Sequence, residues 1–463
     1  MKRFCCGVAL ASLVLLSACS GGAPGTGGQA CDPVGQGTLQ VAIGGLPSGV
    51  SAQVVVRGPG GFSQTLGASQ TLSVGGGTYT VDVEKTASPV GSTTVVRTAY
   101  AGTSDRSQAC VRNGETVQVT VTYSQIPSSG KLWTNNRPPQ SSGDPLTHAY
   151  AEASLLASGT VSEAVGAGTV QSRSLTFDAD GNLWVIGGTT VDPTLLRYPA
   201  SALGSSGTKT PDKRLNVSGW SCLPGALHLT FDPSGNLWLS VPCAQKLVRI
   251  GRTQLAAATG TLSTVTPEVE ISGFSGSPRG LAFDAFGNLW VGHDLSSTSG
   301  QVMRFDAADL SSSTTAASAA RTLSASLSSS STNTAYELAF DAAGSLWVLC
   351  SNCGGAILYK FTSGQLSGTG NAALSPDKQI SLPVGALPEA FAFDEGGGLW
   401  LAYDKPASSG RFARLSPTQL TSSSTPGSPT VPARIVEGSN LGYAKTIAFY
   451  PAPAGLPLFH RLP

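Results

Sequence analysis

The feature that most constrains this chain is a tryptophan that returns five times inside the same short phrase. The phrase reads LTFDADGNLWV from Leu175, LTFDPSGNLWL from Leu229, LAFDAFGNLWV from Leu281, LAFDAAGSLWV from Leu338 and FAFDEGGGLWL from Phe391. Its tryptophans, Trp184, Trp238, Trp290, Trp347 and Trp400, lie 54, 52, 57 and 53 residues apart, and a phenylalanine precedes each by seven residues. Self-similarity at a fixed period points to a stacked or ring-shaped architecture. Each phrase supplies two strands. A third follows, as in Leu195-Leu196-Arg197-Tyr198, Leu247-Val248-Arg249-Ile250 and Val302-Met303-Arg304-Phe305, and then a fourth, as in Val269-Glu270-Ile271. A four-stranded unit of this length is one propeller blade.

The remainders at the two ends of this region complement each other. Lys131-Leu132-Trp133 falls 51 residues before Trp184 and reads as a second strand without its first, while Thr446-Ile447-Ala448-Phe449 reads as a first strand without its second. Joined, they make a sixth blade, which removes the open sheet edges that invite aggregation. The expected fold is all-β, a six-bladed propeller over residues 131–463 closed by strands from both of its ends. Within the phrase, Asp and Gly make the tight turn, Asp by capping backbone N–H groups and Gly by taking positive φ. The carboxylates are too few for calcium loops, and only Asp178-Ala179-Asp180-Gly181-Asn182 carries a second Asp.

A different pattern precedes the repeats. Residues 37–124 alternate apolar and polar positions over short runs such as Thr38-Leu39-Gln40-Val41-Ala42-Ile43, separated by turn signals such as Gly58-Pro59-Gly60-Gly61 and Asn113-Gly114. Period-two alternation with β-branched residues predicts half-buried strands and a small β-sandwich.

Before that, Lys2 and Arg3 introduce an apolar run over residues 8–16 that ends in Leu16-Ser17-Ala18-Cys19. This is the anatomy of a secretory signal, and the tetrad resembles the bacterial lipobox. The resemblance implies a signal peptide at 1–18, lipidation of Cys19, a flexible tether over 19–36, and anchoring of an exported envelope protein by its acyl chains. With Ser20 after the cysteine, the outer membrane is the expected destination in a cell that has one. Removing Cys5 and Cys6 with the leader and acylating Cys19 leaves Cys31, Cys110, Cys222, Cys243, Cys350 and Cys353, an even number that suits an oxidising compartment. Cys31 and Cys110 are placed to staple the sandwich. Cys222 and Cys243 flank one repeat and should reach the same face, and Cys350-Ser351-Asn352-Cys353 reads as a short structural bridge.

The phrase D..GNLWV resembles the NHL-repeat and streptogramin-lyase-like propellers, a superfamily that also contains lactonases, and the likeness covers residues 131–463. The sandwich segment resembles immunoglobulin-like or carboxypeptidase-regulatory-like modules through Gly45-Leu46-Pro47-Ser48-Gly49 and Gly77-Thr78-Tyr79-Thr80-Val81. The superfamily includes enzymes, binding lipoproteins and members without known activity, so the resemblance implies fold and not chemistry. No catalytic motif of the family transfers residue by residue.

Function is therefore sought where a propeller binds, at the end carrying the loops before the first strands and after the second. That register gathers Arg173, His228, Arg279, Glu337, Glu389 and Lys445 with His293, Asp294 and Asp404. In a chain with only 12% charged residues this gathering makes them ligand-binding candidates. His228 and Glu337 are the candidate catalytic pair if a lyase or lactonase operates there. Trp220, outside the repeats, reads as a loop anchor or a stacking platform. No His-x-His or spaced triad appears, so no metal ligands are assigned; a divalent cation belongs only to the enzyme alternative. Twenty-eight basic against 27 acidic residues exclude a broad electrostatic surface for nucleic acid. The expected partners are a membrane, through the lipid anchor, and a protein, glycan or small-molecule ligand. The primary expectation is a binding module, with the metal-dependent lyase or lactonase as the alternative.

Overall fold

A computed structural model describes residues 31, 34–87, 99–125, 132–137, 147–170, 174–178, 180–188, 193–219, 228–294, 300–324, 335–341, 343–350, 355–383, 387–394, 396–404, 411–438, 441, 443–444 and 446–450. The signal, Cys19 and Trp220 lie outside them.

The N-terminal strands form two sheets over one apolar core. In one sheet the first strand, Gln36–Gly44, runs parallel to the last, Thr116–Gln125, with Leu39 opposite Val117 and Val41 opposite Val119. The second is four-stranded and built around Val54–Arg57 and Gly77–Val83. Leu39, Val41, Val54, Val56, Val81 and Val121 alternate inward to fill the space between the two, as period two requires. A disulfide joins Cys31 to Cys110 with Cα atoms 5.6 Å apart, as the sequence anticipated.

The propeller is six-bladed. Blade one comprises Leu175–Phe177, Leu183–Gly188, Pro193–Tyr198 and Lys213–Val217, and blades two to five repeat that antiparallel order. Blade six takes its first strand, Ala448–Phe449, from the far end of the chain; this pairs with Leu132–Arg137, Leu132 facing Phe449 and Trp133 facing Ala448. Thr134 Oγ1 donates to the carbonyl of Thr446 at 2.6 Å across the same seam.

The repeated phrase has a concrete hydrogen-bonding cause. In blade two, Asp232 Oδ1 accepts the backbone N–H groups of Ser234 and Asn236, and Oδ2 accepts the indole N–H of Trp238 at 3.0 Å. The Asp-to-Trp bond recurs at 178–184, 284–290, 341–347 and 394–400. The carboxylate thereby ties the turn to the buried indole. Where Gly398 replaces Asn, Arg414 Nε reaches Asp394 instead. Blade six has Tyr450 at the Asp position, and Trp133 Nε1 is buried without a hydrogen-bond partner among the described residues.

Blades meet through aromatic edges. Trp133, Trp184, Trp238, Trp290, Trp347 and Trp400 each pack edge-on against the first-strand phenylalanine of the next blade, Phe177, Phe231, Phe283, Phe340, Phe393 and Phe449, at 5.6–6.5 Å. The six contacts close a ring.

Ser- and Thr-rich runs between third and fourth strands, such as Ser311-Ser312-Ser313-Thr314-Thr315 and Thr421-Ser422-Ser423-Ser424-Thr425, have the composition of flexible connections, yet they act as clasps. Thr314–Thr315 of blade three pairs parallel with Val269–Ser272 of blade two. In the same way Gly207–Thr208, Ser263–Val265, Gly370–Ala372 and Gly159–Val161 each pair with the fourth strand of the preceding blade. In blade five the Ser424 and Thr430 amides donate to Gln379 and Ser381 of blade four. Every outer edge is covered, and these short polar runs satisfy the backbone groups that an edge strand exposes.

Candidate functional site

The Asp-Gly turns occupy one end of the ring, so the segments entering the first strands and leaving the second lie at the other. The residues just before the repeated phrase occupy equivalent places around the channel: Ser174, His228, Gly280, Glu337, Ala390 and Thr446 in blades one to six. His228 is anchored by two bonds to the second strand of its own blade, its amide donating to Ser240 Oγ at 2.9 Å and its carbonyl accepting from the Ser240 amide at 3.1 Å. Ser240 is fully buried, a polar residue inside an apolar strand that sequence reasoning passed over.

His228 Nδ1 lies 3.1 Å from Glu337 Oε2, and the two side chains are only 11% and 20% exposed. The pair therefore spans from blade two to blade four. A carboxylate at this distance favours the proton on Nδ1. The far nitrogen, Nε2, is buried with no hydrogen-bond partner among the described residues. A neutral imidazole so arranged presents a lone pair, able to accept a ligand's hydrogen bond or a proton.

Three consecutive blades carry a register shift in the first strand at this level, between Pro278 and Leu281, Ala335 and Glu337, and Pro388 and Ala390. Such bulges re-aim side chains and are common beside sites. Their residues include Arg279 and Glu389, both half-buried and both engaged by neighbours. Blade six contributes a buried polar cluster: Asn135 donates to the Ser174 carbonyl at 3.3 Å and accepts from Thr147 Oγ1 at 2.6 Å.

His293 departs from expectation. It sits at the end of a second strand but is fully buried, with its ring tilted against Phe274 at 5.4 Å and Nε2 accepting the Gly276 amide at 2.8 Å. Burial lowers its pKa below the usual histidine range. Its Nδ1 is buried without a hydrogen-bond partner among the described residues. Arg173 and Lys445 lie outside the described residues, as do the side chains of Asp294 and Asp404. Cys243 and Cys350 are each disulfide-bonded, whereas Cys222 and Cys353 fall outside the described residues. A second imidazole–carboxylate pair that the sequence did not suggest, His148 with Glu163, stands within blade six, its histidine fully buried.

Among the described residues no three His, Cys, Asp or Glu side chains converge as a metal site. A cavity of about 300 Å³ lies at the opposite end, between blades one and two. Its charged walls are largely committed: Asp178 to Trp184, Arg197 to Asp212, and Lys213 to the carbonyls of Ala256 and Ala258. The mouth, with its unsatisfied nitrogen, is the better candidate.

These features define a six-bladed β-propeller in which His228 and Glu337 meet at the end opposite the Asp-Gly turns, preceded in the chain by a small β-sandwich. No protein-family model matches the chain, and neither does any curated protein sequence. Among solved structures, it is similar to a protein from Lactobacillus plantarum (12% identity, 70% of this chain and 99% of that one, TM-score 0.42). It is similar also to a streptogramin B lyase (13% identity, 53% and 65%, TM-score 0.32) and a putative gluconolactonase (14% identity, 60% and 87%, TM-score 0.32). Likenesses this distant carry no functional argument, and the fold stands on the chain's own strand pairing.

Proposed function

We propose that this is a lipid-anchored protein of the cell envelope whose propeller binds a polar ligand at the channel mouth, with the sandwich as a spacer on its tether. The observation that supports the binding reading is the His228–Glu337 pair with its unpartnered Nε2, since a buried nitrogen left without a partner costs free energy that a ligand's donor would recover.

The test is a thermal-shift and saturation-transfer panel of monosaccharides, disaccharides, amino acids and dipeptides on protein beginning at Ser20. Ligands bound by the wild type should be lost in both His228→Ala and Glu337→Gln. Binding that survives both substitutions removes the site from the mouth. The anchor is tested separately, by metabolic labelling with palmitate, which Cys19→Ala should abolish.

The same Nε2 lone pair supports a second reading, a metal-dependent lyase or lactonase. Of the ligands such a cation needs, the described residues supply only His228 and Glu337 at one place. Elemental analysis of the purified protein decides between the readings: one tightly held divalent ion, lost in His228→Ala, favours the enzyme.

A further inference from the structure

We infer that Gly280 is the positioning residue of the mouth pair, and that its missing side chain is what allows His228 and Glu337 to meet. This rests on the channel-mouth reading above. The two residues occupy equivalent places in blades two and four, and blade three stands between them with Gly280 at the same place in the ring. A Cβ at Gly280 would fall 2.9 Å from Glu337 Cα, 3.0 Å from its carbonyl carbon and 3.0 Å from the Leu338 nitrogen. All three are backbone atoms, which cannot rotate aside as a flexible side chain can. A methyl group there must push the first strand of blade four away from that of blade three, and with it the Glu337 carboxylate. The requirement is for close approach and not for an unusual backbone angle, since Gly280 is absent from the positive-φ glycines.

The ligand's chemistry follows from this placement. In the neutral ring, Glu337 favours the Nδ1–H tautomer of His228, which leaves Nε2 as the acceptor. The part of the ligand that meets it is a hydrogen-bond donor, a hydroxyl or an N–H, and Gly280 determines whether that acceptor is presented.

The chain has four histidines, so the tautomers are accessible to long-range proton–nitrogen NMR, with His228→Ala assigning the resonance. The wild type should show the Nδ1–H signature at His228. Glu337→Ala and Gly280→Ala should both lose it, while Ala390→Gly, at the equivalent place in blade five, should retain it with unchanged tryptophan fluorescence. Should Gly280→Ala fail to fold, Glu337→Asp reads the same geometry: a carboxylate one methylene shorter should no longer hold the tautomer. Retention of the wild-type signature in Gly280→Ala, or in Glu337→Asp, overturns the inference. Ligand binding that survives Glu337→Ala while the tautomer is lost would sink the mouth reading and leave the positioning role standing.

Discussion

Asp284 and Trp290, six residues apart, are joined by a 2.9 Å hydrogen bond from the indole N–H to Oδ2, and the same carboxylate accepts from the Phe286 and Asn288 amides and the Asn288 side chain. Removing it leaves a buried indole donor and a turn without their acceptor. Asp284→Ala should therefore lower stability by about 2–4 kcal/mol in urea denaturation followed by tryptophan fluorescence. Asp284→Asn, which keeps one acceptor oxygen, should lose less.

The closing contact of the ring is between Trp400 and Phe449. Phe449 also pairs with Leu132 across the join between the two ends of the propeller region, so Phe449→Ala opens a cavity there and should cost about 3–5 kcal/mol. Phe286, by contrast, is 85% exposed at a turn. Phe286→Ala should stay within about 0.5 kcal/mol of wild type in the same assay.

All seven tryptophans follow residue 130, so their fluorescence reports the propeller and not the sandwich. The Cys31–Cys110 disulfide closes a loop with a sequence separation of 79. The double substitution Cys31→Ser/Cys110→Ser should destabilise the sandwich by about 2–4 kcal/mol, seen by calorimetry, and leave the tryptophan transition where it was. A matching shift in both signals would mean that the two regions unfold as one unit.

His293 is held neutral by burial, its pKa pushed down by desolvation. The unfolded chain therefore binds a proton more readily than the folded one. Its contribution is complete above the unfolded histidine pKa of about 6.5 and is lost as pH falls through that value toward the folded pKa, with a slope of at most about 1.4 kcal/mol per pH unit. His293→Gln, able to accept the Gly276 amide without titrating, should flatten the stability profile below that pH. An unchanged slope would assign the acid sensitivity to other groups.

Much of the fold was legible because its signal is chemical. Asp178, Asn182 and Trp184 recur at fixed offsets since one carboxylate must reach two amides and an indole, and no other spacing does so. The sixth blade could be counted because Trp133 and Phe449 each lacked a partner in sequence. The clasps were hidden for the opposite reason: Thr314–Thr315 and Ser424 act through backbone and hydroxyl groups, which Ser- and Thr-rich linkers also possess. At the mouth, register placed His228 and Glu337 on the same rim, but their contact depends on a glycine in the intervening blade, which pattern does not reveal. Register placed His293 at the end of its strand but could not show that Phe274 packs against its ring.

The clasps join each blade to the one before it, and Gly159–Val161 passes the same link from blade six back to blade five. The assembly is thus a loop of equal links, in which the position of the chain's break is incidental. Joining the propeller's ends and reopening the backbone between blades three and four should preserve all six aromatic edges. Evolution or an engineer is then free to choose which blade follows the sandwich, and so which side of the ring lies nearest to it in the chain, without rebuilding a single seam.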